Sequence, residues 1–307
     1  MKKPAIVLMV IFISVTGCAQ RNGADISHIK NKYLDIPYAL VSEAQKLDIY
    51  LPDEGGGPFP VILSIHGGAW KWGDKRDSQL VPMLEGLKRG YAVVSINYRL
   101  SSEAIWPAQI HDCKAAVRWI KANAAKYHFN PDKVVVWGGS AGGHLAALLG
   151  TAGGIKKLED LSLGNPDQSA SVQAVVTWYL PTNFLKMDEQ LRESGFEHFS
   201  LHSVPYSPES ELIGKNIINA PELFKEANPE TYVSSDDPPF LIQHGLEDKT
   251  VPYQGSVILA RKLGKVLGFR NVYLELFPAT DHGGEAFGTK ENLNRIFTFI
   301  NKCLKNY

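Results

Sequence analysis

The chain has 307 residues, 44% of them hydrophobic, with Lys+Arg and Asp+Glu both at 32. Such a composition supplies a large core and excludes both a disordered chain and a charge-driven binder of nucleic acid. Function must therefore be sought in a site.

In chain order, Lys2 and Lys3 precede an apolar run at 5–15 and the small residues Thr16 and Gly17. This pattern predicts a secretory signal over residues 1–17. The run is too short to cross a bilayer, which takes about 20 apolar residues. Val15-Thr16-Gly17-Cys18 is similar to the bacterial lipobox, so Cys18 is expected to be lipidated and residues 18–32 to form a tether. The protein is then exported and held to the cell envelope, with the outer membrane the expected side, and meets the membrane through that anchor only. Cys113 and Cys303 are expected as unpaired, buried thiols; export permits a bridge between them without requiring one.

From about residue 33 to 307, short β-branched runs alternate with amphipathic stretches. Strands are predicted at 47–51, 61–65, 92–96, 133–137, 172–179, 240–243 and 272–277. Several are continuous apolar runs, as strands buried on both faces should be. Helical stripes follow at Leu80, Met83, Leu84 and Leu87; at Ile110, Cys113, Val117, Ile120 and Ala124; at Leu259, Leu263, Val266 and Leu267; and from Leu293 to Leu304. The alternation predicts an α/β fold with a mostly parallel central sheet and helices on both faces. Residues 182–237 break the rhythm, and a loop region of that length is expected to be a small cap-like insertion over the site.

Three motifs carry chemistry. Gly138-Gly139-Ser140-Ala141-Gly142 follows an apolar strand and opens a helix, which is the setting of the Gly-x-Ser-x-Gly nucleophile turn. Ser140 is the expected nucleophile. His66-Gly67-Gly68-Ala69-Trp70 follows the strand at 61–65, and its backbone N–H groups suit an oxyanion hole. The expected donors are those of Gly67 or Gly68 with that of Ala141, each typically lowering a barrier by about 3–4 kcal/mol. His66 is read as a structural member of the loop.

The base must be chosen among nine histidines. His282 follows the strand at 272–277 by a short loop, the place of a hydrolase base after nucleophile and acid. His244 ends a strand and competes, but it precedes the acid. Asp248, in His244-Gly245-Leu246-Glu247-Asp248-Lys249-Thr250-Val251-Pro252, is the expected acid, with Glu247 and Asp281 as alternates. All three candidates lie just past predicted strands, on the carboxyl edge where α/β sites form. Trp70, Trp178 and Tyr179, with Trp72, are either substrate-lining aromatics or core.

These segments, together with Asn97-Tyr98-Arg99, Trp106-Pro107-Ala108-Gln109 and Asp237-Pro238-Pro239, resemble the hormone-sensitive-lipase-like esterases of the α/β-hydrolase fold. The resemblance runs from about Tyr33 to the C-terminus and is strongest to a branch holding acetyl-xylan and feruloyl esterases. It implies a carboxylesterase working through an acyl-enzyme, with neither metal nor cofactor. The implied partner is a small-molecule or oligosaccharide ester of a short acyl or aryl group. Ala69 departs from the third glycine of many relatives. A prolyl-oligopeptidase-like peptidase shares the Asp-x-x-Val-Pro context but carries an accessory domain for which this chain is too short. A non-catalytic binding protein on the same fold is the other alternative.

Overall fold

The computed structural model describes residues 23–305. The expected signal segment and Cys18 lie outside them. Eight strands form one sheet: β1 (Lys32–Pro37), β2 (Lys46–Tyr50), β3 (Phe59–Ile65), β4 (Ala92–Ile96), β5 (Phe129–Gly139), β6 (Ala174–Trp178), β7 (Phe240–Gly245) and β8 (Val272–Phe277). Their order is β1-β2-β4-β3-β5-β6-β7-β8. The β1/β2 and β2/β4 pairs are antiparallel, and every pair from β4 to β8 is parallel.

Alternation along the central strands sorts side chains into two cores. Val61, Leu63 and Ile65 face one side with Val134 and Val136, against the helices Ala108–Ala122, Ala141–Thr151 and Tyr253–Leu267. Ile62, Val135 and Trp137 face the other, against the helix Lys290–Leu304. Burial on both faces explains why these strands read as unbroken apolar runs.

Three expectations are corrected. The stripe from Leu80 to Leu87 is not one helix: Val81–Leu84 is a single turn between two 3-10 turns, the second ending at Gly90 in the left-handed conformation. Val266 faces solvent, and Ala260 and Gly264 complete the buried stripe instead. The described part of the expected tether is docked, with Ile29 buried and Ala24 N–H donating to the Arg76 carbonyl. Cys113 and Cys303 are free and buried.

Residues 182–237 hold the short helices Met187–Glu193, Pro208–Ile213 and Pro221–Ala227 between β6 and β7. Ser207 caps the second through its side chain, and proline stands at the first turn of the second and third.

Candidate active site

β5 runs straight into the helix Ala141–Thr151 with Ser140 as the hinge. Ser140 sits at φ 55, ψ −126, a strained conformation for a residue with a Cβ. The neighbours explain why it holds. A Cβ on Gly138 would lie 2.3 Å from the Gly142 carbonyl oxygen, and one on Gly142 would lie 2.1 Å from that of Ile65. The Ser140 N–H donates to the Trp178 carbonyl at 2.9 Å, tying the turn to β6. Its side chain is left pointing into a cleft of about 430 Å³, lined also by Gly68, Ala69, Trp72, Gln79, Tyr179 and Thr250.

His282, past the end of β8, brings Nε2 to 3.0 Å from Ser140 Oγ. Its Nδ1 lies 2.8 Å from Asp248 Oδ2. A carboxylate only accepts, so Nδ1 carries the proton and the unprotonated Nε2 accepts from the serine hydroxyl. The other oxygen of Asp248 accepts the N–H groups of Thr250 at 2.9 Å and Val251 at 2.8 Å. Burial opposes the charge on Asp248, but hydrogen bonds from His244 and His282 outweigh it and hold the carboxyl well below the usual carboxylate range.

The rival residues are accounted for. His244 is fully buried and lies 3.2 Å from Asp248 Oδ2, so it props the carboxylate from behind. Glu247 is exposed. Asp281 accepts the N–H of His282 at 2.7 Å and that of Lys249 at 3.1 Å, which fixes the loop carrying the imidazole.

The glycine loop requires two corrections. The Gly67 N–H, expected to face the cleft, already donates to Gln79 Oε1 at 3.0 Å. Gly68 remains, its φ of 100 allowing the backbone to turn where a Cβ would lie 2.3 Å from the Trp72 carbonyl oxygen. Ala69 follows at φ 55 and also lines the cleft. The second correction concerns the aromatics. Trp70 is 1% exposed, donates to His144 Nδ1 at 3.2 Å and packs on Phe184. Trp178 is 3% exposed and donates to Gln243 Oε1 at 2.7 Å. Neither lines the cleft. Tyr179 does, with its ring centroid 4.5 Å from that of His282, and so does Trp72, which is 60% exposed.

His66 braces the loop from beneath. It stacks on Tyr98 at 4.5 Å, and its Nδ1 donates to the Gly67 carbonyl at 2.7 Å. Burial pushes its pKa down to about 4, so the ring is neutral. Sequence reasoning missed Gln79, which belongs to no motif; its only signal is a place shortly after the glycine loop.

The sheet order, with a strained serine at the turn from β5 into a helix, defines an α/β-hydrolase. The BD-FAE family model matches residues 47–263, and the chain belongs to that family. Ser140 and Asp248 fall within the match and His282 beyond it. The chain is 33% identical over 263 residues to the probable carboxylic ester hydrolase LipM of Mycobacterium tuberculosis, covering 83% of this chain and 57% of the relative. It is 36% identical over 223 residues to the esterase LipQ of the same organism, covering 71% and 49%. The chain thus spans about half the length of the curated relatives it matches. A solved structure described as a truncated form of a carbohydrate esterase from gut microbiota superposes with a TM-score of 0.78 at 32% identity, covering 92% of this chain and 99% of that one.

Proposed function

We propose that the protein is a serine carboxylic-ester hydrolase that removes short acyl groups such as acetyl, or aryl groups, from carbohydrate esters through an acyl-enzyme. The observation that carries this is the unbroken relay from the Ser140 hydroxyl through His282 to Asp248, open to the cleft.

Ser140 Oγ attacks the ester carbonyl carbon while His282 Nε2 takes its proton. Asp248 keeps the ring in the required tautomer and stabilises the imidazolium. The tetrahedral oxyanion is met by the N–H groups of Gly68, Ala69 and Ala141, none of which has a hydrogen-bond acceptor in the protein among the described residues. The start of the helix Ala141–Thr151 adds positive potential there. Collapse breaks the bond to the alcohol, which leaves with the proton from His282. Water, deprotonated by His282, then attacks acyl-Ser140, and the carboxylic acid departs as the serine is restored.

The carbohydrate part of the proposal draws support from the similarity to a carbohydrate esterase and from the exposed indole of Trp72 at the cleft, since aromatic faces pack well on rings. Lipidation at Cys18 and a place on the cell envelope, expected from the sequence, complete the reading. Membrane-fraction protein that Cys18→Ala releases is the matching check.

Turnover of nitrophenyl acetate tests the activity. Ser140→Ala is expected to lower kcat about 10⁶-fold. Unchanged turnover in that variant sinks the assignment. Release of acetate or ferulate from decorated oligosaccharides then resolves the substrate.

A further inference from the structure

We propose that Gln79 is the positioning residue of the anion-binding loop, holding the Gly67 peptide so that the N–H groups after it face the reacting carbonyl oxygen. The inference rests on the esterase reading and adds a residue to it.

Gln79 sits in a 3-10 turn, Ser78–Leu80, that is fixed at both ends. Asp77 caps it by accepting the Gln79 N–H at 2.9 Å, and Leu80 is buried beneath. From this base the carboxamide reaches Gly67, accepting its N–H at 3.0 Å. An N–H can be accepted only by the carboxamide oxygen, so chemistry fixes which way round the side chain lies. The fit is close: a Cβ on Gly67 would lie 2.9 Å from Gln79 Nε2 and 2.8 Å from the Gly139 carbonyl oxygen. The contact therefore joins the glycine loop, the nucleophile turn and the 3-10 turn at one point.

The consequence is a division of labour among successive peptides. The Gly67 N–H is engaged by the protein itself. Those of Gly68 and Ala69, next along the chain, have no acceptor among the described residues and belong to residues lining the cleft. Donors stabilise a transition state best when they need no reorientation as charge develops. With the Gly67 peptide anchored, the two that follow are turned in advance. The remaining Gln79 Nε2 also has no acceptor among the described residues, and Gln79 is one of the residues lining the cleft.

The test compares Gln79→Leu with the wild type, per active site counted by fluorophosphonate labelling. The readouts are kcat and KM on nitrophenyl acetate and the affinity of an alkyl trifluoromethyl ketone. Ser140 Oγ adds to that ketone, with the proton passing to His282, and the resulting hemiketal oxyanion occupies the anion site. The expected result is a kcat at least about tenfold lower, a ketone affinity weaker by a similar factor and a KM within about twofold. A structural role alone would change the number of active sites and leave the kcat of each unaltered. Folded Gln79→Leu with wild-type kcat and ketone affinity overturns the inference while leaving the esterase reading intact. Where that variant fails to fold, Gln79→Met keeps the length of the side chain and is expected to show the same split. Wild-type protein that neither hydrolyses the ester nor takes the fluorophosphonate overturns the underlying reading instead.

Discussion

The nucleophile turn and the glycine loop touch each other and face the same cleft, yet they are held by different means. In the turn, Gly138 and Gly142 are walled in by carbonyl groups of their own segment and of the end of β3. The loop at 66–73 has backbone contacts of its own, the Trp72 N–H donating to the Gly68 carbonyl at 2.8 Å, but it also leans on side chains: Gln79 on the Gly67 N–H, the His66 ring on Tyr98, and the Trp70 indole on His144. Backbone against backbone admits one solution. A loop packed by side chains can be adjusted by changing them, and it carries its own strain, with Ala69 and Trp70 both at φ 55.

The contrast is broken most forcefully at Gly142. Its missing Cβ would meet backbone at 2.1 Å, and no rotamer change can relieve that contact. Gly142→Ala is expected to cost about 3 kcal/mol, read from the denaturation midpoint at an unchanged slope. A wild-type midpoint would show that the turn can shift after all.

An intermediate effect comes from pH, because each region rests on a buried imidazole. Burial pushes His66 under the loop and His144 in the helix after the nucleophile down to about 4. The unfolded chain binds these protons near pH 6.5, whereas the folded protein refuses them until about pH 4. Stability is therefore full above pH 6.5 and falls as pH drops from there toward 4. Unfolding free energies measured across that interval should lose up to one proton of slope in His66→Phe, which can still stack on Tyr98. An identical slope in the variant would mean that His66 does not contribute.

The smallest effect is expected at Ala69. Left-handed backbone costs an alanine about 1–2 kcal/mol, and glycine is spared this. The unfolded chain gains freedom from the same change, about 0.4–1 kcal/mol in the opposite sense. Ala69→Gly should thus stabilise by at most about 1.6 kcal/mol, visible as a raised Tm. A lowered Tm would show that the loop is not strained at this residue.

How far the sequence could be read follows from the same physics. The central strands announce themselves because burial on both faces leaves continuous apolar runs, as in Val134-Val135-Val136-Trp137. The edge strand β1 does not: Tyr33 and Leu34 are exposed, and its six residues carry no alternation. Ser140, Asp248 and His282 were legible because each follows a strand, and the structure brings their side chains within hydrogen-bonding distance. Trp70 and Trp178 stayed open between pocket and core because an indole is equally at home in both, and only burial and the partners of their N–H groups decide. Gln79 was invisible for the opposite reason, since a glutamine in an irregular loop has no pattern to betray it.

The insertion at 182–237 contributes no residue to the cleft around Ser140, yet it is stitched to the machinery from behind. His202 lies between Glu209 and the Thr250 carbonyl, and His144 Nε2 donates to the Ala227 carbonyl. Most of the site's surroundings are thereby committed to holding the molecule together. Divergence toward a different substrate has few places to act without disturbing the scaffold: the side chains of Trp72 and Thr250 are exposed beside the serine, although the Thr250 backbone is tied to Asp248 and His202.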